Sequence, residues 1–241
     1  MTKHYIYGRF ERIWHWLQAS LIIFLAITGF EVHDSLHIFG FEKAVYFHRV
    51  ASYALIILII FAIFWHFTTG NWRQYIPTLK NLKAQILYYS KGIFSGEKHP
   101  TRKTVLKKLN PLQVIVYLSF KLFMIPIVVV SGLFYMFYKT IDNNDVIIIQ
   151  NIDLSTIAVW HTFGAFLLIA FLIVHVYMTT TGHTYTSNIK AMITGYEDLE
   201  DEEVIETLTK DTVVEQQMVE NTTKDNIVEQ QIVENPIETK N

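Results

Sequence analysis

The chain has 241 residues, of which half are hydrophobic, with a formal net charge of -2 and no cysteine. The absence of cysteine excludes disulfide bonds, iron–sulfur clusters held by this chain and haem attached covalently through C-x-x-C-H. The hydrophobic residues are bunched into long runs, which a soluble domain rarely shows. The composition therefore indicates a membrane protein, for which we expect no nucleic-acid partner.

Four apolar segments follow one another along the chain, at residues 13–30, 45–67, 112–138 and 157–178. A helix needs roughly 20 residues, at about 1.5 Å each, to cross a hydrocarbon layer of ~30 Å. All four segments meet or approach that length. The predicted fold class is all-α, an integral membrane four-helix bundle, and we expect the first segment to be retained because no A-x-A-type cleavage site follows it.

Charge divides the chain into two regions. Residues 1–196 carry 17 Lys and Arg against 8 Asp and Glu, whereas residues 197–241 carry 3 against 14. Within the acidic part, TKDTVVEQQMVEN at 209–221 recurs as TKDNIVEQQIVEN at 223–235. Two copies are too few for a stable coiled coil, and the acidity favours disorder. We predict a membrane domain at 1–196 and a disordered acidic tail at 197–241.

The loops predict the orientation in the membrane. Residues 68–111 hold nine Lys and Arg and one acid, while the loops at 31–44 and 139–156 together hold two lysines and six acids. Cytoplasmic loops carry the excess of Lys and Arg. Both termini and the 68–111 loop are therefore predicted to be cytoplasmic, and the two acidic loops to lie outside.

Five histidines lie within or at the ends of the apolar segments: His15, His48, His66, His161 and His175. Ionisable groups inside a membrane are costly and usually mark function, and two imidazoles from facing helices are the ligands that a low-spin haem b requires. His161 and His175 are 14 residues apart. That spacing puts them within about 40° of one helix face and roughly 21 Å apart along it. The fourth segment can therefore serve two stacked haems.

Depth in the membrane predicts the opposing ligands. His48 matches the depth of His161 near the outer surface, and His15 matches His175 near the cytoplasmic surface. The alternative takes both opposing ligands from the second segment, His48 and His66. Those two are roughly 27 Å apart, ~6 Å more than the pair on the fourth segment, so we favour His15. His66 is then interpreted as an interface or proton-handling residue.

Other residues near these histidines are candidates for giving a haem space between the helices or for pairing with its propionates. Arg49, next to His48, is a candidate partner for a haem propionate. Gly29, Gly132 and Gly164 lie inside helices, where glycine lets a macrocycle or another backbone approach closely. Helix packing alone explains the glycines equally well.

Several motifs make the chain recognisable: RIWHW at 12–16, HFTTGNWRQYIPT at 66–78, LNPLQ at 109–113, and TTGHTYTSNIKAMITGYE at 180–197. With the two histidines of the fourth segment, they resemble the di-haem cytochrome b membrane anchors of bacterial respiratory enzymes. Relatives include the gamma subunit of formate dehydrogenase-N and the cytochrome b subunits of nickel–iron hydrogenase and thiosulfate reductase. The resemblance covers residues 9 to about 197. It implies a four-helix bundle in the bacterial inner membrane, with the cytoplasmic haem between the first and fourth helices and the outer haem between the second and fourth.

The resemblance also implies a quinone site beside the cytoplasmic haem, lined by an N-x-x-Q motif. Asn110 and Gln113 match this motif. Their amides, with His183 or Lys121, would supply hydrogen-bond donors to a quinone carbonyl. Asn110 followed by Pro111 is also a typical start of a helix, and both roles are compatible.

The function expected is that of an electron-transfer subunit of a respiratory complex rather than an enzyme with its own substrate chemistry. Electrons would pass between the quinone pool and a periplasmic partner, either a redox enzyme or a multihaem or iron–sulfur subunit, with the direction open. Two other hypotheses are a monomeric membrane oxidoreductase acting between small molecules, and a haem-free anchor or transporter that uses the histidines as proton relays.

Overall fold

The computed structural model describes residues 2–78, 81–97, 100, 108–142, 153–182 and 184–199. His183 and the acidic region from residue 200 onward, with its repeat, lie outside the described residues. The elements in chain order are β1 (Thr2–Tyr5), α1 (Arg9–Val32), α2 (Phe41–Thr68), a 3-10 helix (Asn71–Tyr75), α3 (Leu82–Ser90), a second 3-10 helix (Gly92–Ser95), α4 (Pro111–Ser119), a π-helical turn (Phe120–Met124), α5 (Ile125–Asp142), α6 (Leu154–Thr179), α7 (Ser187–Thr194) and β2 (Tyr196–Leu199).

Within the described residues, four helices are long and apolar enough to cross a membrane. They are α1, α2, the helix that runs through α4, the π turn and α5, and α6. Large apolar side chains on these helices face outward, including Ile13, Ile57 and Val159, each at least 66% exposed. An exterior of this kind suits lipid rather than water as the solvent. The predicted integral membrane four-helix bundle is confirmed.

The third membrane helix contains the π-helical turn, Phe120–Met124. Pro126 follows this turn. Proline has no N–H to donate to the carbonyl of Leu122, and its ring would clash with that carbonyl in a regular α-helix. The wider turn accommodates the proline without ending the helix. It also changes the register of the side chains around Lys121.

The helices pair as neighbours along the chain, α1 against α2 and α5 against α6. We call the end of the bundle where α1 and α4 begin and where α2 and α6 finish the terminal end. The other end, where α1 finishes and α2 and α6 begin, is the opposite end. Three buried residues, Phe120, Ile125 and Leu168, form a small hydrophobic cluster within the bundle.

The terminal end is closed by a two-stranded antiparallel sheet that the all-α expectation did not include. Residues Thr2 to Tyr5 of β1 pair with Leu199 to Tyr196 of β2. Strands of four residues give too short an alternating pattern to be recognised in sequence. β2 runs past the predicted domain boundary at residue 196, and the division into a membrane domain and a tail stays a prediction.

At the opposite end, Glu31 is buried in the last turn of α1. Its Oε1 accepts hydrogen bonds from the backbone N–H groups of Ile38, Phe39 and Gly40, at 2.9, 2.6 and 2.7 Å. Glu31 therefore fixes the connection from α1 to α2. In the sequence it was counted only as one of the acids of an outer loop.

Candidate functional site

Two pairs of histidines meet across the bundle, one at each end. At the opposite end, the ring centroids of His48 on α2 and His161 on α6 are 6.2 Å apart. At the terminal end, those of His15 on α1 and His175 on α6 are 6.1 Å apart. The structure thus brings together the partners that the depth argument predicted, and α6 contributes one imidazole to each pair.

The spacing of each pair fits an iron atom bound between two imidazoles. An iron–nitrogen bond of about 2 Å, with about 1.1 Å from nitrogen to ring centre on each side, puts the two centroids roughly 6 Å apart. Both pairs have this separation. Within the described residues, no three His, Cys, Asp or Glu side chains converge as a metal cluster would require. The donor set suits haem, which needs only two protein ligands.

His48 is held from α1 by a threonine and a glycine that are adjacent in sequence. Its Nδ1 lies 3.0 Å from Oγ1 of Thr28, a fully buried side chain. A Cβ added to Gly29 would lie 3.4 Å from Cε1 of the same ring. The α1 helix can therefore approach the imidazole closely and support one of its nitrogens.

His161 is held from α5 by the corresponding pair, a serine and a glycine. Its Nδ1 lies 3.2 Å from Oγ of Ser131 and 3.1 Å from the carbonyl oxygen of Val128. A Cβ added to Gly132 would lie 3.0 Å from Cε1 of the ring, closer than ordinary contact. A side chain at position 132 would therefore require this imidazole to move by a few tenths of an ångström.

The hydrogen-bond partners of His48 and His161 assign the tautomers of the two rings. Thr28 and Ser131 donate their hydroxyl hydrogens to carbonyls of their own helices, those of Phe24 and Ile127. Each hydroxyl can then only accept from the neighbouring imidazole. Both rings therefore carry their hydrogen on Nδ1, which leaves Nε2 free as a metal ligand.

The pair at the terminal end is held by aromatic rings. His175 stacks on Phe171 at 5.6 Å with 14° between the planes, and Phe171 stacks on Phe120 at 4.5 Å. The ring of Tyr117 lies 6.1 Å from that of His175. Nδ1 of His15 is buried and has no hydrogen-bond partner among the described residues.

His66 is not joined to the paired histidines by any ring contact within the described residues. Its Nδ1 lies 2.7 Å from the carbonyl oxygen of Ala62, and its Nε2 lies 3.4 Å from Nζ of Lys121. Its ring packs against Trp14 at 5.4 Å. His66 therefore belongs to a separate polar cluster at the terminal end.

Asn110 and Gln113 form a reciprocal cap at the start of α4. Asn110 Oδ1 accepts from the backbone N–H of Gln113 at 2.8 Å, and Gln113 Oε1 accepts from that of Asn110 at 3.0 Å. The Asn110 amide also donates to the hydroxyl of Tyr89 at 3.1 Å. The helix-start interpretation is confirmed, while the Gln113 amide N–H groups take no part in the cap. The predicted quinone contacts stay a prediction, and His183 lies outside the described residues.

Arg49 is exposed at the opposite end, with its guanidinium 6.0 Å from the ring centre of Tyr46. Its predicted role toward a propionate stays a prediction. Sequence reasoning singled out Gly29 and Gly132 but missed Thr28 and Ser131. The signal was present as a hydroxyl residue followed by glycine within two different membrane helices.

The chain is similar in sequence to known proteins. Over 203 residues, the chain is 27% identical to a provisionally named cytochrome, YdhU, of Escherichia coli (strain K12), covering 80% of this chain and 74% of that protein. Residues 6–195 match the family described as prokaryotic cytochrome b561. This match spans every described membrane helix and all four paired histidines. The chain therefore belongs to the prokaryotic cytochrome b561 family and is a bacterial membrane cytochrome b that takes part in electron transfer.

Proposed function

We propose that this chain is the di-haem membrane subunit of a respiratory complex and transfers electrons between the quinone pool and a redox partner on the periplasmic side. The observation that carries the proposal is the presence of two imidazole pairs, each about 6 Å between centroids, that share helix α6. A single-haem protein would need only one such pair.

His48 and His161 would hold one haem b, and His15 and His175 the other. Haem b, when bound, supplies a one-electron carrier. The chain's own contribution would be to orient His48 through Thr28, His161 through Ser131, and His175 through its aromatic stack. Two such carriers at different depths suit electron transfer across the membrane.

The terminal end is proposed to face the cytoplasm. Described Lys and Arg residues concentrate there, at the start of α1 and in the α2–α4 connection. The opposite end carries acidic residues in the α1–α2 connection and at the start of α6. This distribution follows the rule that positive loops stay in the cytoplasm, and it supports the proposal that the His48–His161 pair lies toward the periplasmic side.

A quinone site is proposed beside the His15–His175 pair. Gln113 supports it because its amide N–H groups are free of the cap, and a quinone carbonyl needs such donors. Gln113 is also the glutamine of the N-x-x-Q motif on which the resemblance rests. The partner, a periplasmic redox enzyme or a multihaem or iron–sulfur subunit, also rests on the resemblance.

The test is anaerobic reduction of the purified, haem-loaded protein by menadiol and by duroquinol, followed at the b-type absorption band. We expect rapid reduction of the wild type and slower reduction of Gln113→Glu. This variant keeps the capping oxygen but replaces the amide donor, so helix α4 should remain intact. Reduction by dithionite but by neither quinol would contradict the quinone part of the proposal.

A further inference from the structure

A lysine, Lys121, lies inside the third membrane helix. Lys121 stands on the π-helical turn, is half-buried, and forms no ion pair with any carboxylate of the described residues. Its Nζ lies 3.4 Å from the ring centre of Tyr75 and 5.5 Å from that of Trp14. With His66, these residues form what we call the Lys121 cage. A cationic group at membrane depth is costly and marks a functional position.

His66 fixes the lysine in this cage. The Ala62 carbonyl can only accept, so Nδ1 of His66 donates to it at 2.7 Å. Nε2 then accepts from Nζ of Lys121 at 3.4 Å. The imidazole thereby uses one of the three N–H groups of the ammonium. This gives His66 a role that does not involve iron.

The cage retains donors but offers few acceptors. Lys121 has N–H groups beyond the one given to His66, and Nε1 of Trp14 is buried with no hydrogen-bond partner among the described residues. An indole N–H can only donate. A buried donor without a partner is costly. The donors that remain on Lys121 and Trp14 therefore suit an oxygen acceptor.

The cage adjoins the His15–His175 pair without being part of it. Trp14 contacts His66 on α2, whereas the neighbouring His15 contacts His175 on α6, so the two sites lie on different faces of α1. The ring of Tyr117 lies 6.1 Å from that of His175, on the side of the pair formed by the third membrane helix.

We propose that the Lys121 cage binds a head-group oxygen of the quinone or quinol, with Lys121 and Trp14 as hydrogen-bond donors and His66 as the residue that positions Lys121. The inference rests on the proposed quinone function and deepens it. The resemblance points to the N-x-x-Q amides for one oxygen of the head group. The cage supplies the donors for the other.

The test compares Lys121→Met, which keeps an unbranched side chain, one atom shorter and without the donors, and Trp14→Phe, which keeps an aromatic ring without its N–H. Lys190→Met, on the exposed surface of α7, is the matched control. Haem content is measured from the dithionite-reduced spectrum, and haem potentials by redox titration. The concentration dependence of reduction by menadiol and duroquinol gives an apparent KM.

We expect both cage variants to keep two haems with unchanged potentials and to raise the quinol KM roughly tenfold or more, as for loss of a hydrogen bond to a charged or buried donor. The control should match the wild type.

Unchanged KM values in both variants would overturn the inference while leaving the quinone function intact. Loss of one haem, or a shift of its potential, with an unchanged KM would assign the cage to a propionate instead. If Lys121→Met does not fold, Trp14→Phe decides by the same criteria. A wild type that quinols do not reduce would overturn the proposed function as well.

Discussion

The two histidine pairs are held by different forces. At the opposite end, hydroxyl and carbonyl oxygens accept from Nδ1 of His48 and His161, and glycines on the neighbouring helices make room for the rings. At the terminal end, His175 is fixed by stacking on Phe171, and Nδ1 of His15 has no hydrogen-bond partner among the described residues.

The two arrangements control different properties of the histidine ligand, its electron-donor strength and its orientation. An acceptor at Nδ1 fixes the tautomer and makes the imidazole a stronger electron donor, which stabilises oxidised iron. Stacking fixes the orientation of the ring but leaves its donor strength nearly unchanged. The opposite-end haem should therefore respond to polar substitutions, and the terminal-end haem to changes in packing.

The largest expected effects come from removing a ligand. His161→Ala should abolish the opposite-end haem and His175→Ala the terminal-end haem, each leaving about half of the b-type absorption. His66→Ala is the control and should keep both haems, because its ring is engaged by Ala62 and Lys121. Spectra and redox titrations of the three variants check this. Loss of a haem in His66→Ala would contradict the pairing.

The glycines offer a steric comparison within the opposite-end pair. A Cβ at position 132 would lie 3.0 Å from the His161 ring, whereas one at position 29 would lie 3.4 Å from that of His48. We expect Gly132→Ala to lower the occupancy of this haem and Gly29→Ala to leave it nearly full. Haem content per chain is the measurement. Equal losses in both variants would show that the separations are not decisive.

A smaller effect is expected from the hydrogen bond at His48. Thr28→Val keeps the shape of the side chain but removes the hydroxyl oxygen as an acceptor for Nδ1. The potential of the opposite-end haem should rise by roughly 60 mV, a tenfold shift in the one-electron equilibrium, with the other haem unaffected. The control is Ser52→Ala, since the Ser52 hydroxyl donates to the His48 backbone carbonyl instead of its ring. Equal shifts in both variants would sink this explanation.

The smallest effect is expected at the terminal end. Phe171→Leu removes the ring that stacks on His175 while keeping an apolar side chain. The orientation of the imidazole should loosen, which broadens the low-spin electron paramagnetic resonance signal of that haem more than it moves its potential. A change in the signal of the other haem would show that the two pairs are not independent.

Much of this arrangement could be predicted from sequence. Segment length predicted the four membrane helices, and the 14-residue spacing of His161 and His175 predicted that α6 serves both pairs. Depth favoured His15 over His66, and the structure brings His15 to His175. The Asn110–Gln113 motif predicted the cap at the start of α4.

Other features depended on contacts between distant parts of the chain. The β1–β2 pairing joins residues almost 200 positions apart through strands of four residues, which local patterns do not indicate. Thr28 and Ser131 look like ordinary small residues of membrane helices until α2 and α6 place an imidazole against each. The aromatic walls around Lys121 likewise come from α1 and the 3-10 helix after α2.

The most direct measurement is the haem content of the purified chain combined with its redox titration. Two haems b per chain, reduced at separate potentials and each with the signature of two histidine ligands, is the predicted result. A single haem per chain would contradict the account. So would any haem that stays bound when His161 and His175 are both replaced.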